Sequence, residues 1–223
     1  MITIIMLKGK SFQPPGLYAI TDTQLCALSH AEQVEKLIQG GARLIQIREK
    51  HRPSAGFYED AETAVRVAQA HGVRVIINDR VDIALALQAD GVHLGQQDLS
   101  PVVARQILGP DAIIGLSTHN REQAKEGLAL PIDYLAVGPI FWTHTKQDPD
   151  PILGLEGLRE VRRMVSHLPL VAIGGITLEQ SHDVFRAGAD CIALISALLT
   201  SPDRIEANTK TFLTVAASYT LTS

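Results

Sequence analysis

Eight short apolar runs, each followed by a helical stretch, set the tightest limit on what this chain can fold into. The runs lie at residues 16–20, 42–47, 73–77, 91–94, 112–116, 134–138, 169–173 and 189–194. Runs this short, rich in aliphatic residues and bounded by turn residues, read as buried strands. Helix signals fill the intervals. Ser29 and Glu32 have the spacing of a capping box, and Gly40-Gly41 stops that helix. The next helix is expected over residues 55–70 and a shorter one over 81–87. Ser100 and Pro101 open another as N-cap and first helical residue. Asn120 with Gln123, and Thr177 with Gln180, repeat the capping spacing, and the last helices are expected over 201–218. Eight βα units in 223 residues is the count for a single (β/α)8 TIM barrel. A doubly wound open sheet is the alternative, but it usually has fewer strands, and no G-x-G-x-x-G follows the first run. Residues 1–14 are expected to form a short N-terminal extension, and residues 15–220 the catalytic barrel.

Composition narrows the partners. Hydrophobic residues make up 46% of the chain and charged residues 20%, which is enough apolar material for a substantial core. A net charge of −4 argues against a nucleic-acid-binding surface while leaving room for a local basic pocket. The two cysteines, Cys26 and Cys191, give neither a disulfide framework nor a metal spacing, which fits a reducing, cytoplasmic setting. Residues 1–6 are apolar, but Lys8 and Lys10 interrupt them and Pro14-Pro15 follow, so no secretory leader is expected. No run approaches the roughly 18 apolar residues of a membrane helix. The eight histidines show no ligand spacing, and His93, inside a run, is expected to be an interior residue. No Ser-His-Asp or Cys-His arrangement can be argued.

In a barrel of parallel strands the chemistry sits at the carboxyl ends. Asn78-Asp79-Arg80 follows the third run and Gly95-Gln96-Gln97-Asp98 the fourth. Neighbouring strands lie about 5 Å apart. Asp79 and Asp98 can therefore share one hard cation such as Mg²⁺, which prefers oxygen ligands and commonly holds substrate phosphates. The plainer alternative makes Asp79 a helix cap and Asp98 a turn residue. Gln46, Arg48 and Lys50 alternate along the chain and project to one face. There the cations can neutralise a polyphosphate and the glutamine can orient a polar ring; the alternative is a solvated rim, which suits Glu49. Gly174-Gly175 and Ile195-Ser196 follow runs seven and eight, where many barrels bind phosphate. Thr143, Thr145 and Lys146 suit an oxyanion-rich ligand on a loop long enough to close over a site. Phe141 and Trp142 beside them are odd choices for plain solvent exposure. Ser117 can donate to a phosphate or cap a helix.

Together these residues resemble the thiamine phosphate synthase family. The resemblance runs from about Gly16 to Leu199. It is carried by Tyr18-Ala19-Ile20-Thr21-Asp22, Gln46-Ile47-Arg48-Glu49-Lys50, Asn78-Asp79-Arg80, the stretch from Gly91 to Asp98, Gly138-Pro139-Ile140-Phe141, Thr143-His144-Thr145-Lys146 and Ile173-Gly174-Gly175-Ile176. Each motif is modest alone; all of them in order at strand ends are specific. The resemblance implies a transferase that joins 4-amino-2-methyl-5-(diphosphooxymethyl)pyrimidine to a thiazole phosphate and releases pyrophosphate. It implies that Gln46, Ile47, Arg48, Glu49, Lys50, Asn78, Ser117 and Lys146 hold the pyrimidine diphosphate, and that Asp79 and Asp98 ligate one Mg²⁺ per subunit. Arg48, Lys50, Ser117 and Lys146 would act in catalysis. It implies further that Thr143, His144, Thr145, Gly175, Ile195 and Ser196 bind the thiazole phosphate. The family usually has proline where Trp142 stands, which bears on the shape of that loop and not on the chemistry.

Two rivals share the barrel. A thiazole tautomerase would not need the diphosphate and Mg²⁺ residues, and a non-catalytic barrel that binds thiazole or thiamine phosphate would have no reason to keep the paired aspartates. The expected partners are small-molecule substrates, with no nucleic acid and no membrane. No surface stretch marks an oligomer interface, and a homo-oligomer stays open.

Overall fold

The computed structural model describes residues 12–143 and 150–220. Its strands are β1 (Leu17–Thr21), β2 (Leu44–Ile47), β3 (Arg74–Asn78), β4 (Gly91–Leu94), β5 (Ile113–Thr118), β6 (Tyr134–Val137), β7 (Leu170–Ile173) and β8 (Cys191–Leu194). All are parallel, each pairs with its sequence neighbours, and β8 pairs with β1, so the barrel closes. The helices between strands are α1 (His30–Gln39), α2 (Ser54–Ala70), α3 (Val81–Ala86), α4 (Pro101–Leu108), α5 (Arg121–Gly127), α6 (Gly154–Val165) and α7 (Ser181–Arg186). After β8 come the short α8 (Ser196–Leu199), a 3-10 turn at Pro202–Arg204 and α9 (Ile205–Thr220). This is the single (β/α)8 barrel expected from the eightfold rhythm. No helix among the described residues is long and apolar enough to cross a membrane.

Strand side chains alternate between two cores. Leu17, Ala19, Ile45, Ile47, Val75, Ile77, Val92 and Leu94 face outward into the shell packed by the helices. Tyr18, Ile20, Leu44, Ile76, Tyr134, Ala136, Val171, Cys191 and Ala193 fill the barrel interior. Gly115 makes the interior packing feasible, because a Cβ there would lie 2.0 Å from the Tyr134 ring. Phe12 closes the N-terminal end. It is 6% exposed, its ring lies 5.5 Å from that of Tyr134, and the Arg74 guanidinium sits over it.

The N-terminal face carries a repeated device that the sequence reading did not register. Asp90, Asp133 and Asp190 each stand one residue before an even-numbered strand. Their Oδ2 atoms accept from the backbone N–H of Val75, Ile114 and Leu170 in the preceding strands, at 2.8, 2.7 and 2.7 Å. Each bond satisfies a strand-end donor that would otherwise be left without a ladder partner. Arg105 pairs with Asp133 and Arg162 with Asp190, both at 2.7 Å.

Three of the four capping signals mark helix starts. Ser29 and Glu32 form the complete capping box, Ser100 caps α4, and Asn120 accepts from the Gln123 N–H. The helix expected from Thr177 starts later, at Ser181. Gln180 Oε1 does accept the Thr177 N–H at 3.0 Å, but the Thr177 hydroxyl is engaged by Glu179 instead of the helix backbone. Residues 178–180 form a separate turn, in which the Ser181 N–H donates to Leu178 O at 3.2 Å, and the helix begins after it.

Candidate active site

Four side chains crown the barrel interior: Gln46 from β2, Asn78 from β3, His93 from β4 and Ser117 from β5. The register pairs Asn78 with His93 and His93 with Gly115, so these strand ends lie side by side. Gln46 Nε2 donates to Tyr18 Oη at 2.9 Å, and Tyr18 Oη lies 3.0 Å from Tyr134 Oη. Tyr134 Oη is 2.9 Å from His93 Nδ1, and His93 Nε2 is 2.8 Å from Ser117 Oγ. Burial drives the His93 pKa down to about 4, so its imidazole is neutral near neutral pH. Burial also pushes both tyrosine hydroxyls up. Asn78 is 6% exposed and its Nδ2 has no partner among the described residues, leaving a buried donor for a ligand to satisfy. Ser117 is no helix cap; Asn120 takes that role.

The charged residues stand just above this layer. Lys50 Nζ pairs with Asp79, and Arg48 pairs with Asp22, a buried carboxylate directly after β1. Asp22 also accepts the Gln24 N–H at 2.8 Å, so it holds the end of its own strand while it positions Arg48. Asp79 adopts φ 61° and its N–H donates to His93 O at 2.8 Å, which ties the two strand ends together. It is not a helix cap, since Arg80 occupies that place without a side-chain bond. Asp98 Oδ2 accepts the Gly95 N–H at 2.7 Å. Burial, and after it the neighbouring Asp79 carboxylate, push the Asp98 pKa up.

A carboxylate whose ionisation its neighbour opposes, as Asp79 opposes that of Asp98, makes with that neighbour a fitting donor pair for a divalent cation. Among the described residues two cations, Arg48 and Lys50, face three carboxylates, Asp22, Asp79 and Asp98. A diphosphate entering here calls for positive charge beyond these two. Among the described residues no three Asp, Glu, His or Cys side chains gather as a metal site, so a cation here would take its other ligands from substrate oxygens and water.

Two residues of the β2 end are buried. Ile47 is fully buried in the outer shell, so only its backbone could reach a ligand. Glu49 is not part of a solvated rim. It is 9% exposed and accepts from His51 N at 2.7 Å, Arg52 N at 3.3 Å and Thr23 Oγ1 at 3.0 Å. Burial raises its pKa, but these bonds together outweigh it and the net shift is downward. Glu49 holds the loop that aims Arg48 and Lys50.

On the other side of the mouth, Ile173 pairs with Ala193, which brings Gly175 and Ile195 into adjacent loops and leads to Ser196 at the start of α8. Gly174 and Gly175 have φ of 101° and 65°. The reason is first structural: a Cβ on Gly175 would lie 2.2 Å from Trp142 O, and one on Gly174 would lie 2.6 Å from Pro139. The two glycines thus seat the loop after β6. Thr143 is half-buried beside them, whereas Trp142 is 60% exposed, against expectation. His144, Thr145 and Lys146 lie outside the described residues. A groove of about 230 Å³ opens from Asp98 between α4 and α5; a larger cleft, about 320 Å³, lies at the N-terminal face around Arg43 and Arg74, away from every strand-end residue named here.

Sequence reasoning missed Asp22, Tyr18 and Tyr134. Asp22 was visible as a carboxylate at a strand end. The tyrosines carried no signal, because a tyrosine in an apolar run reads as core.

A family model described as thiamine monophosphate synthase matches residues 17–198. The thiamine-phosphate synthase of Syntrophomonas wolfei is 48% identical over 189 residues, covering 84% of this chain and 90% of that protein. The thiamine-phosphate synthase of Clostridium novyi is 44% identical over 200 residues, covering 89% and 97%. The solved structure of thiamine phosphate pyrophosphorylase from Pyrococcus furiosus superposes with a TM-score of 0.82 at 36% identity, covering 96% of this chain and 97% of that one.

Proposed function

This chain belongs to the thiamine monophosphate synthase family, and we propose on that premise that it joins 4-amino-2-methyl-5-(diphosphooxymethyl)pyrimidine to a thiazole phosphate, giving thiamine phosphate and pyrophosphate. It is a transferase whose substrates are small molecules. The observation that carries the site assignment is the approach of Asp79 and Asp98 at adjacent strand ends, with Lys50 on one of them. A tautomerase or a passive phosphate-binding barrel has no use for that pair.

The reaction needs no protein nucleophile. The methylene C–O bond breaks and its electron pair leaves with pyrophosphate, giving a cation stabilised by the aminopyrimidine ring. The thiazole nitrogen lone pair then forms the new C–N bond. Arg48, Lys50, Ser117 and Lys146 stabilise charge growing on the leaving group. Asn78 uses its unpaired Nδ2 on the same substrate, and Gln46 orients the ring. Asp79 and Asp98 would hold one Mg²⁺ per subunit, whose positive charge neutralises the diphosphate. Thr143, His144, Thr145, Gly175, Ile195 and Ser196 bind the thiazole phosphate, so both substrates share one mouth and gain the proximity advantage. Arg48 and Lys50 reach a diphosphate by exchanging Asp22 and Asp79 for phosphate oxygens. Two buried, unpaired cysteines support a cytoplasmic setting.

Mass-spectrometric analysis of products after incubating the protein with both substrates and Mg²⁺ tests the function. Thiamine phosphate is the expected product. Binding of thiazole phosphate without coupling would replace this reading with one of the two rivals.

A further inference from the structure

The barrel interior holds a continuous hydrogen-bonded line from Gln46 to Ser117 through Tyr18, Tyr134 and His93, with steps of 2.9, 3.0, 2.9 and 2.8 Å. Its two ends are residues assigned to the pyrimidine diphosphate, while its three middle members touch no proposed ligand atom. Each hydroxyl has one proton to donate, and a neutral imidazole has one donor and one acceptor nitrogen. A hydroxyl oxygen can accept from both sides, so the arrangement that uses every proton within the line is the one that runs one way throughout. With Gln46 Nε2 on Tyr18 Oη, that arrangement has Tyr18 donating to Tyr134, Tyr134 to His93 Nδ1, and His93 Nε2–H to Ser117. That leaves Gln46 presenting its acceptor Oε1 and Ser117 its hydroxyl proton. The opposite direction would flip both ends together, with Gln46 offering NH₂ and Ser117 only lone pairs.

These two end states suit different ligands. An anionic phosphate oxygen needs a donor at Ser117, and a ring amino group needs an acceptor at Gln46. The direction that starts from Gln46 Nε2 on Tyr18 Oη supplies both. We propose that Tyr18, Tyr134 and His93 are positioning residues that lock Gln46 as an acceptor and Ser117 as a donor, and so select a 4-aminopyrimidine carrying an anionic tail over a 4-oxopyrimidine. The inference rests on the pyrimidine diphosphate reading of the site, but the direction of the line does not.

Two measurements test it. The first is ¹⁵N NMR of histidine-labelled, ligand-free full-length protein, with the His93 signals identified by their loss in His93→Gln. Protonated Nε2 and bare Nδ1 are expected; the reverse tautomer overturns the proposal whatever the enzyme does. The second compares kcat/KM for the 4-amino and 4-oxo pyrimidine diphosphates in wild type and Tyr134→Phe, which removes the central hydroxyl and no ligand contact. The preference for the amino substrate should fall about tenfold, the worth of one neutral hydrogen bond, while KM for thiazole phosphate holds. A merely structural hydroxyl would lower both pyrimidines alike, and an unchanged preference overturns the proposal. If Tyr134→Phe does not fold, Tyr18→Phe breaks the line one step nearer Gln46 and is read the same way. Failure of wild type to use either pyrimidine would sink the site reading and leave the NMR result to judge the line.

Discussion

Asp133→Ala should unfold the protein more easily and leave its chemistry alone. The Asp133 carboxylate accepts from Arg105 Nη2 and from the Ile114 N–H, each at 2.7 Å. The two charged side chains are only 14% and 13% exposed, so the pair is poorly screened. Removing one partner of a buried pair costs about 3–5 kcal/mol. Arg105 keeps backbone carbonyls of Gly109, Pro110, Ala112 and Pro131, which favours the low end of that range. The orphaned Ile114 N–H is a further loss of about 1 kcal/mol or more. The expected total is about 4 kcal/mol, or roughly 8–16 °C in Tm for a domain of this size. Asp133→Asn keeps an acceptor for Ile114 and should lose about half as much, since only the charge assistance goes. Urea unfolding with catalytic assays well below Tm reads both effects. The reasoning rests on a division between an N-terminal face that holds the barrel together and a C-terminal face that does the chemistry. It is refuted if Asp133→Ala unfolds like wild type, or if KM for either substrate moves while the protein stays folded.

Two further outcomes follow from the site itself. His93 is held near a pKa of about 4, below its ordinary 6.5, so the stability it contributes is present in full above pH 6.5 and is lost as pH falls toward 4. The loss approaches about 3 kcal/mol; His93→Gln, unfolded in urea without metal, should therefore lose less than wild type between about pH 7.5 and 4.5 by most of that amount, and equal losses would contradict the assignment. Gly175→Ala places a methyl group 2.2 Å from Trp142 O at a φ of 65°. The backbone conformation alone costs about 1–2 kcal/mol, and displacement of the loop after β6 should raise KM for thiazole phosphate with little change for the pyrimidine diphosphate; parallel changes would show that Gly175 serves the whole barrel.

Much of this architecture could be read from the chain because its signals are local. Strand runs, the Ser29–Glu32 box and the Ser100-Pro101 start all report on neighbours within four residues, and all appear as expected. The strand-end rule likewise brings Gln46, Asn78, Asp79, Asp98 and Ser117 to one mouth. The misses concern what crosses the barrel. Nothing near Tyr134 in sequence shows that its hydroxyl meets His93 and Tyr18, and alternation along β2 gave Glu49 a face without showing the loop N–H groups that bury it. The same holds for Asp90, Asp133 and Asp190, whose partners lie in a different strand. At Gly175 the structure shows a glycine required by a crossing loop, and in sequence such a glycine looks the same as one needed for a ligand.

Pyrophosphate release tests the central claim most directly, measured with both organic substrates, with each alone, and across a Mg²⁺ titration, for wild type and for Asp79→Asn and Asp98→Asn. Release by wild type should require both substrates, and each variant should need far more Mg²⁺ and turn over more slowly. Release that proceeds equally well without thiazole phosphate, or variants that match wild type at limiting Mg²⁺, would contradict a mouth in which two carboxylates and two substrates meet.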